Sequence, residues 1–260
     1  MGNRRLTDRQ RRQIEQNAAK RRESSLSGEG EDSNGIIIAR FSKAAIVMDE
    51  NNDVHRCHLR PNLAHLVAGD RVLWQKNEQG GVVSTQLERQ SEIKRPDVRG
   101  QLKAVAANVD LIVIVIAPEP EPFGNLIDRY LVAAHLAGID TVIALNKSDL
   151  VATNKESRAL LKRYETIGHT VIETGPADQS TSALNDLLGD QTAVFVGQSG
   201  VGKSSMINRL IPDQELRVGA LSESVLKGKH TTTTTEVFLR PEGGLIIDSP
   251  GIREFGLQHV

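Results

Sequence analysis

One cysteine, Cys57, is all that the 260 residues contain, which excludes an internal disulfide and any site built from several thiolates. Long apolar runs are missing as well. No stretch approaches the roughly 20 apolar residues that cross a bilayer, and the Arg-rich opening lacks the apolar centre of a signal peptide, so the expectation is a cytoplasmic protein with no membrane span. Aromatic residues make up only 3% of the chain, leaving few rings with which a surface could stack nucleic-acid bases. There is no internal repeat and no low-complexity array. Net charge is nearly absent at −1, yet it is unevenly spread: up to Ser24 the chain carries Arg4, Arg5, Arg9, Arg11, Arg12, Lys20, Arg21 and Arg22 against Asp8, Glu15 and Glu23.

Apolar residues, at 38%, are enough for a packed core, and the length exceeds that of one ordinary domain. Residues 1–34 have little to bury and read as a basic flexible tail and linker, with a helix possible over Thr7 to Arg22 on binding. Residues 35–95 hold five short β-rich runs, Ile36 to Phe41, Ala44 to Met48, Val54 to Leu59, Arg71 to Gln75 and Gly81 to Gln86, parted by Asp/Asn/Gly turns; they predict a small all-β barrel of the OB-fold type. The pattern changes after Pro96 and Gly100. From there to residue 260, apolar runs at Leu111 to Ile116, Thr141 to Leu145, Thr170 to Glu173, Ala193 to Val196 and Gly244 to Ile247 alternate with helical patterns, which predicts an α/β domain with a parallel sheet.

The strongest chemical signal is Gly197-Gln198-Ser199-Gly200-Val201-Gly202-Lys203-Ser204, followed by Ser205, which fits G-x-x-x-x-G-K-[ST] between an apolar strand and a helical segment. Glycines let such a loop wrap phosphates with backbone N–H groups at a helix N-terminus. Lys203 then reaches the β/γ-phosphates, and the Ser204 hydroxyl binds Mg²⁺. Asn146-Lys147-Ser148-Asp149 ends another strand, where Asp149 can accept both the N1 and N2 protons of guanine, Asn146 can contact the base edge and the Lys147 stem can cover its face. Thr174 and Gly175, after the next strand, are candidates for backbone contacts to the base. Asp248-Ser-Pro-Gly251 supplies an acid near Mg²⁺ and a glycine whose N–H can sense the γ-phosphate. Between these segments, Gly228-Lys-His230-Thr231-Thr232-Thr233 is a hydroxyl-rich switch candidate, with Thr232 as a second Mg²⁺ ligand. Ras-like proteins carry glutamine after the tetrad glycine; here Ile252 stands there and cannot hold water, which makes His230 the candidate for orienting the attacking nucleophile.

The order of these motifs, base motif first, then P-loop, Thr-rich switch and D-x-x-G, resembles that of circularly permuted GTPases. GQSGVGKSS, the GKHTTT run, DSPG-I-REFG and the upstream barrel together look like the RsgA (YjeQ) family of small-subunit biogenesis GTPases. The resemblance implies a permuted P-loop GTPase domain behind an OB-fold, GTP as substrate with Mg²⁺, and a monomer whose partners are the small (30S) ribosomal subunit and its rRNA, acting in late subunit maturation with turnover stimulated by the subunit. It also supports a catalytic role for His230 beside Lys203. Family members continue past DSPG into a domain with a Cys/His zinc site. This chain ends at Val260, just after that motif, so zinc is expected only in a longer member. The alternative reading is an rRNA-binding module in which nucleotide only orders the switch loops. Lys43, Arg56, Arg60 and Arg71 could then form a basic face, and Phe41 and Trp74 could either stack bases or belong to the core.

Overall fold

The computed structural model describes residues 32–63, 65–77, 80–97, 99–153, 155–175, 179–211 and 236–248. The basic tail, His230, Thr232, Gly251 and Ile252 lie outside the described residues.

Strands β1 (Ser33–Arg40), β2 (Ala44–Met48), β3 (Val54–Leu59), β4 (Arg71–Asn77) and β5 (Gly80–Gln86) close into a barrel in the order β1-β2-β3-β5-β4, with β1 returning onto β4. This is the expected OB-like barrel, and full closure leaves no open sheet edge. Alternation along the strands sends Ile37, Val47, Cys57, Val72, Trp74 and Val83 into its interior. Burial pushes the Cys57 thiol up to about 12, which makes it a packing group rather than a nucleophile. Trp74 is 2% exposed and donates its indole N–H to the Asn34 carbonyl at 3.2 Å. Its place is in the core, and Phe41 is partly buried against the larger core, so the base-stacking alternative fails for Trp74.

A hairpin absent from the sequence reading follows, β6 (Glu92–Pro96) and β7 (Leu102–Ala107). Its strands are short and carry Glu92, Lys94, Arg95 and Lys103, so period-two patterning is weak, and the composition change at Pro96 falls at its turn. The six-stranded sheet then assembles in the order β10-β9-β8-β11-β13-β12 from β8 (Leu111–Ile116), β9 (Asp140–Leu145), β10 (Thr170–Glu173), β11 (Thr192–Val196), β12 (Glu236–Leu239) and β13 (Leu245–Asp248). All neighbours are parallel except the β12/β13 pair. The edge strand β12 was also missed by the sequence reading.

Alternate residues of the buried strands serve two cores. One face carries α1 (Gly124–Ala137), α2 (Lys155–Thr166) and the barrel: Ile112, Ile114, Val194 and Ile247 pack with Ile127 and Leu161 and with Ile38, Ile46 and Ala68. The other face carries α3 (Gln179–Leu188) and α4 (Lys203–Leu210), where Val113, Phe195 and Ile246 meet Leu184, Leu188 and Met206. The barrel thus supplies a covering layer that a parallel sheet needs on both faces.

The junction is held by main-chain contacts and one buried ion pair. Ala107 N–H donates to Ala68 O at 3.0 Å, and Asn108 Nδ2 donates to Gly69 O at 2.8 Å. Asp70, fully buried, accepts from Arg89 Nε at 2.7 Å and Nη2 at 2.8 Å, from Gln86 Nε2 at 2.9 Å and from the Val67 N–H at 2.7 Å. Asp70→Ala removes the bidentate partner of a largely buried guanidinium that keeps Glu92 and the His65 carbonyl, and is expected to destabilise the protein by about 2 kcal/mol. Urea unfolding followed by fluorescence of Trp74, the sole tryptophan, measures it; a loss below about 1 kcal/mol would mean that the Ala68/Ala107 seam suffices.

Candidate functional site

The candidate segments hang from one edge of the sheet because the strands that carry them run parallel: Asn146 follows β9, Thr174 follows β10, Gly197 follows β11 and Asp248 closes β13. Strands β8 and β11 are neighbours, but the chain proceeds from β8 towards β9 and β10, and from β11 towards β12 and β13 on the other side. That divergence opens a crevice above their carboxyl ends, where ligands of such sheets bind.

The phosphate loop is pressed into this crevice at two glycines. Gly197 has φ 138°, and a Cβ there would overlap the Val115 carbonyl oxygen of β8. Gly202, the N-cap of α4, has φ 94°, and a Cβ would overlap Nδ2 of Asn146. Only glycine combines that backbone with that approach. The Gly202 cap offers no side-chain hydrogen bond, and an uncapped helix N-terminus of this kind suits an anion. Lys203 is mostly buried and curls over the loop, donating from Nζ to Gly197 O at 2.7 Å and to Gln198 O at 2.6 Å. Ser199 and Gly200 form the exposed tip, while Val201 is buried beneath it.

The base motif is bolted to this loop. Asn146, 4% exposed, donates from Nδ2 to Val201 O at 2.9 Å, and its Oδ1 accepts from Thr174 Oγ1 at 3.2 Å and Arg209 Nη2 at 3.1 Å. Its side chain joins the two loops, and the second Nδ2 proton is left for the base edge where the sequence puts this residue. Lys147 adopts φ 57° and donates from Nζ to Glu119 O and Gly200 O, each at 2.8 Å, so its stem runs along the crevice. The Ser148 N–H donates to Thr174 O at 3.0 Å, and Thr174 and Gly175 are buried beside it. Asp149 is different. It lies in the first turn of the 3-10 segment Ser148–Thr153, is exposed, and its side chain makes no hydrogen bond or ion pair among the described residues. Asp248, 8% exposed, ends β13 one residue after Ile247, which pairs with Val194 of β11.

Three contributors escaped the sequence reading. Arg209 of α4 donates to the Gly175 carbonyl as well as to Asn146. Tyr130 of α1 is buried against the phosphate loop; burial raises the pKa of its hydroxyl, opposed by a backbone hydrogen bond with Gly197 and by the Arg129 charge. The Glu119 carbonyl receives Lys147. None carries a linear signal, because each acts on residues tens of positions away.

A phosphate loop on the central strand, a base loop with an uncommitted carboxylate on β9 and an acid at the end of β13, in a chain that reaches the base loop first, define a circularly permuted P-loop GTPase. The RsgA GTPase family model matches residues 86–258. The small ribosomal subunit biogenesis GTPase RsgA of Azotobacter vinelandii is 54% identical over 241 residues, covering 89% of this chain and 70% of that protein. Its namesake from Pseudomonas aeruginosa strain LESB58 is 51% identical over 276 residues, covering 100% of this chain and 81% of the relative. Among solved structures, YjeQ from Thermotoga maritima superposes with a TM-score of 0.68 at 27% identity, covering 86% of this chain and 76% of that one. YloQ, described as a circularly permuted GTPase, gives 0.66 at 28% identity, covering 90% and 76%. The chain belongs to the RsgA GTPase family and is a GTP-hydrolysing enzyme using GTP with Mg²⁺.

Proposed function

We propose that the chain is a GTP-driven switch in late maturation of the small ribosomal subunit, cytoplasmic and monomeric, with turnover stimulated by that subunit. The observation that carries this reading is the pairing of an uncommitted Asp149 with a base loop locked to the phosphate loop through Asn146 and Val201. The printed names of its relatives add the subunit. No helix among the described residues is long and apolar enough to cross a membrane. The working division is a tail, a barrel and a GTPase unit, with the boundaries expected at 34/35 and 95/96 moved, since β1 of the barrel already begins at Ser33 and the β6/β7 hairpin crosses residue 95.

In the site, Asp149 takes the guanine N1 and N2 protons, the Lys147 stem covers a ring face, and the backbone around Thr174 and Gly175 closes the base edge. The loop from Gly197 to Ser205 cradles the phosphates, and Lys203 exchanges its two carbonyl partners for β/γ-oxygens. Such electrostatic positioning supplies most of the acceleration in phosphoryl transfer. Mg²⁺, when bound, neutralises charge on the phosphates. A hydroxyl from Ser204, a carboxylate from Asp248 and a hydroxyl from Thr232 suit a hard cation that keeps water and phosphate oxygens as its other ligands. The Gly251 N–H senses the γ-phosphate, and His230 orients the water.

On the barrel, Arg56 is exposed on β3, Arg60 follows that strand, and the Lys43 carbonyl accepts the Leu59 N–H at 3.1 Å, which brings Lys43 beside Arg60; Arg71 is exposed on β4. They are the proposed rRNA contact. One experiment tests both the switch and His230: single-turnover GTP hydrolysis with and without purified small subunits. Stimulation of at least about tenfold is expected, and His230→Ala is expected to keep GTP affinity while slowing the stimulated step about 100-fold. Absent stimulation with intact subunit binding would favour the RNA-binding module, and a wild-type rate in His230→Ala would remove the histidine from catalysis.

A further inference from the structure

Arg209 is a residue that the nucleotide chemistry above does not use. It sits in the last turn of α4, six residues after Lys203, or about 9 Å along the helix axis. From there its guanidinium donates from Nη1 to the Gly175 carbonyl and from Nη2 to Asn146 Oδ1 at 3.1 Å. One side chain thereby holds the segment after β9 and the segment after β10 to the helix whose first turn faces the phosphates.

The contact also decides the orientation of Asn146. A side-chain amide can turn over, exchanging its oxygen and nitrogen, and the Thr174 hydroxyl at 3.2 Å accepts either arrangement because it can donate or accept. Arg209 has donors only, so it requires the amide oxygen on its side. The Val201 carbonyl has no donor, so it requires the amide nitrogen at 2.9 Å on the other. Arg209 and Val201 together fix the amide that joins base loop to phosphate loop. The rest of the guanidinium points to geometry rather than stability as its role: Nε is buried and has no hydrogen-bond partner among the described residues, an arrangement that costs desolvation without return. A lysine would keep the charge, but its single nitrogen lacks the planar fork that spans two separate acceptors.

From this geometry we infer that Arg209 is a positioning residue for guanine selectivity, setting Asn146 and Gly175 so that Asp149 meets the base; the inference rests on the guanine-site reading. Arg209→Met removes the donors and keeps much of the stem. Calorimetric titration with GTP and with inosine triphosphate, which lacks only the 2-amino group, reads the effect. Arg209→Met is expected to weaken GTP about tenfold and inosine triphosphate much less, shrinking the preference between them. Its KM for GTP rises by a similar factor while kcat at saturation falls less than about threefold. Arg209→Lys falls between it and wild type, and serves as the measured variant should thermal melting show Arg209→Met unfolded. A merely structural role weakens both nucleotides in equal proportion. Equal weakening, or none, overturns the inference. Wild-type protein that fails to prefer GTP over inosine triphosphate overturns the guanine-site reading itself, a separate and recognisable outcome.

Discussion

Alanine at Lys203 is expected to lower kcat/KM for GTP by about 100- to 1,000-fold, the scale seen when one preorganised charge-stabilising donor is deleted from an active site. The expectation follows from where the ammonium already is. Its two carbonyl partners, Gly197 and Gln198, hold Nζ over the loop at 2.7 and 2.6 Å, so binding of phosphates replaces two neutral acceptors by charged oxygens without a search through lysine rotamers. Part of the loss falls on affinity, since in the proposed site the same cation faces the β-phosphate, and part on kcat, since charge shifts towards the leaving group as the bond breaks. The fold should survive, because α4 anchors itself through Met206, Ile207 and Leu210. Steady-state kinetics across a GTP range checks both parameters; activity within about fivefold of wild type would displace Lys203 from the phosphates.

Asparagine at Asp149 is expected to weaken GTP by about 100-fold or more and to raise affinity for xanthosine triphosphate. A carboxylate accepts two guanine N–H groups at once, whereas the carboxamide must present a donor to one of them, leaving a polar mismatch of the kind that discriminates strongly. Xanthine replaces the 2-amino donor with a carbonyl, which the new amide can meet. The protein itself should barely notice the change, because Asp149 is exposed and has no partner among the described residues. Competition titrations with the two triphosphates supply the measurement. An unchanged ratio of their affinities would place the base elsewhere.

Much of this site was legible in one dimension because its chemistry is local. The phosphate loop needs glycines at fixed offsets and a lysine at the helix start, so Gly197, Gly202 and Lys203 had to be close in sequence to act together. Asp149 likewise belongs to a four-residue motif, Asn146 to Asp149, that directly follows β9. The barrel strands β2 and β3 and the sheet strands β8 and β10 match their expected bounds residue for residue, since a half-buried or fully buried strand imprints its period or its apolar run on the chain. The hairpin β6/β7 and the edge strand β12 left no such imprint: few of the hairpin's side chains are fully buried, β12 is only four residues long, and their pairing depends on neighbours that fold up beside them.

Local pattern therefore established the two folding units, the nucleotide class and the permuted motif order, because turns, strand periods and phosphate-binding loops are set by residues within about ten positions of one another. Tertiary structure alone decided how those parts meet. It placed Trp74 in the barrel interior, made the barrel a covering layer of the GTPase sheet, tied Asn146 to Val201, and brought in Arg209 and Tyr130. Those contacts join residues 34 to 67 positions apart, and at such separations the partner of a side chain is chosen by the packing of helices on a sheet, about which spacing along the chain carries no information.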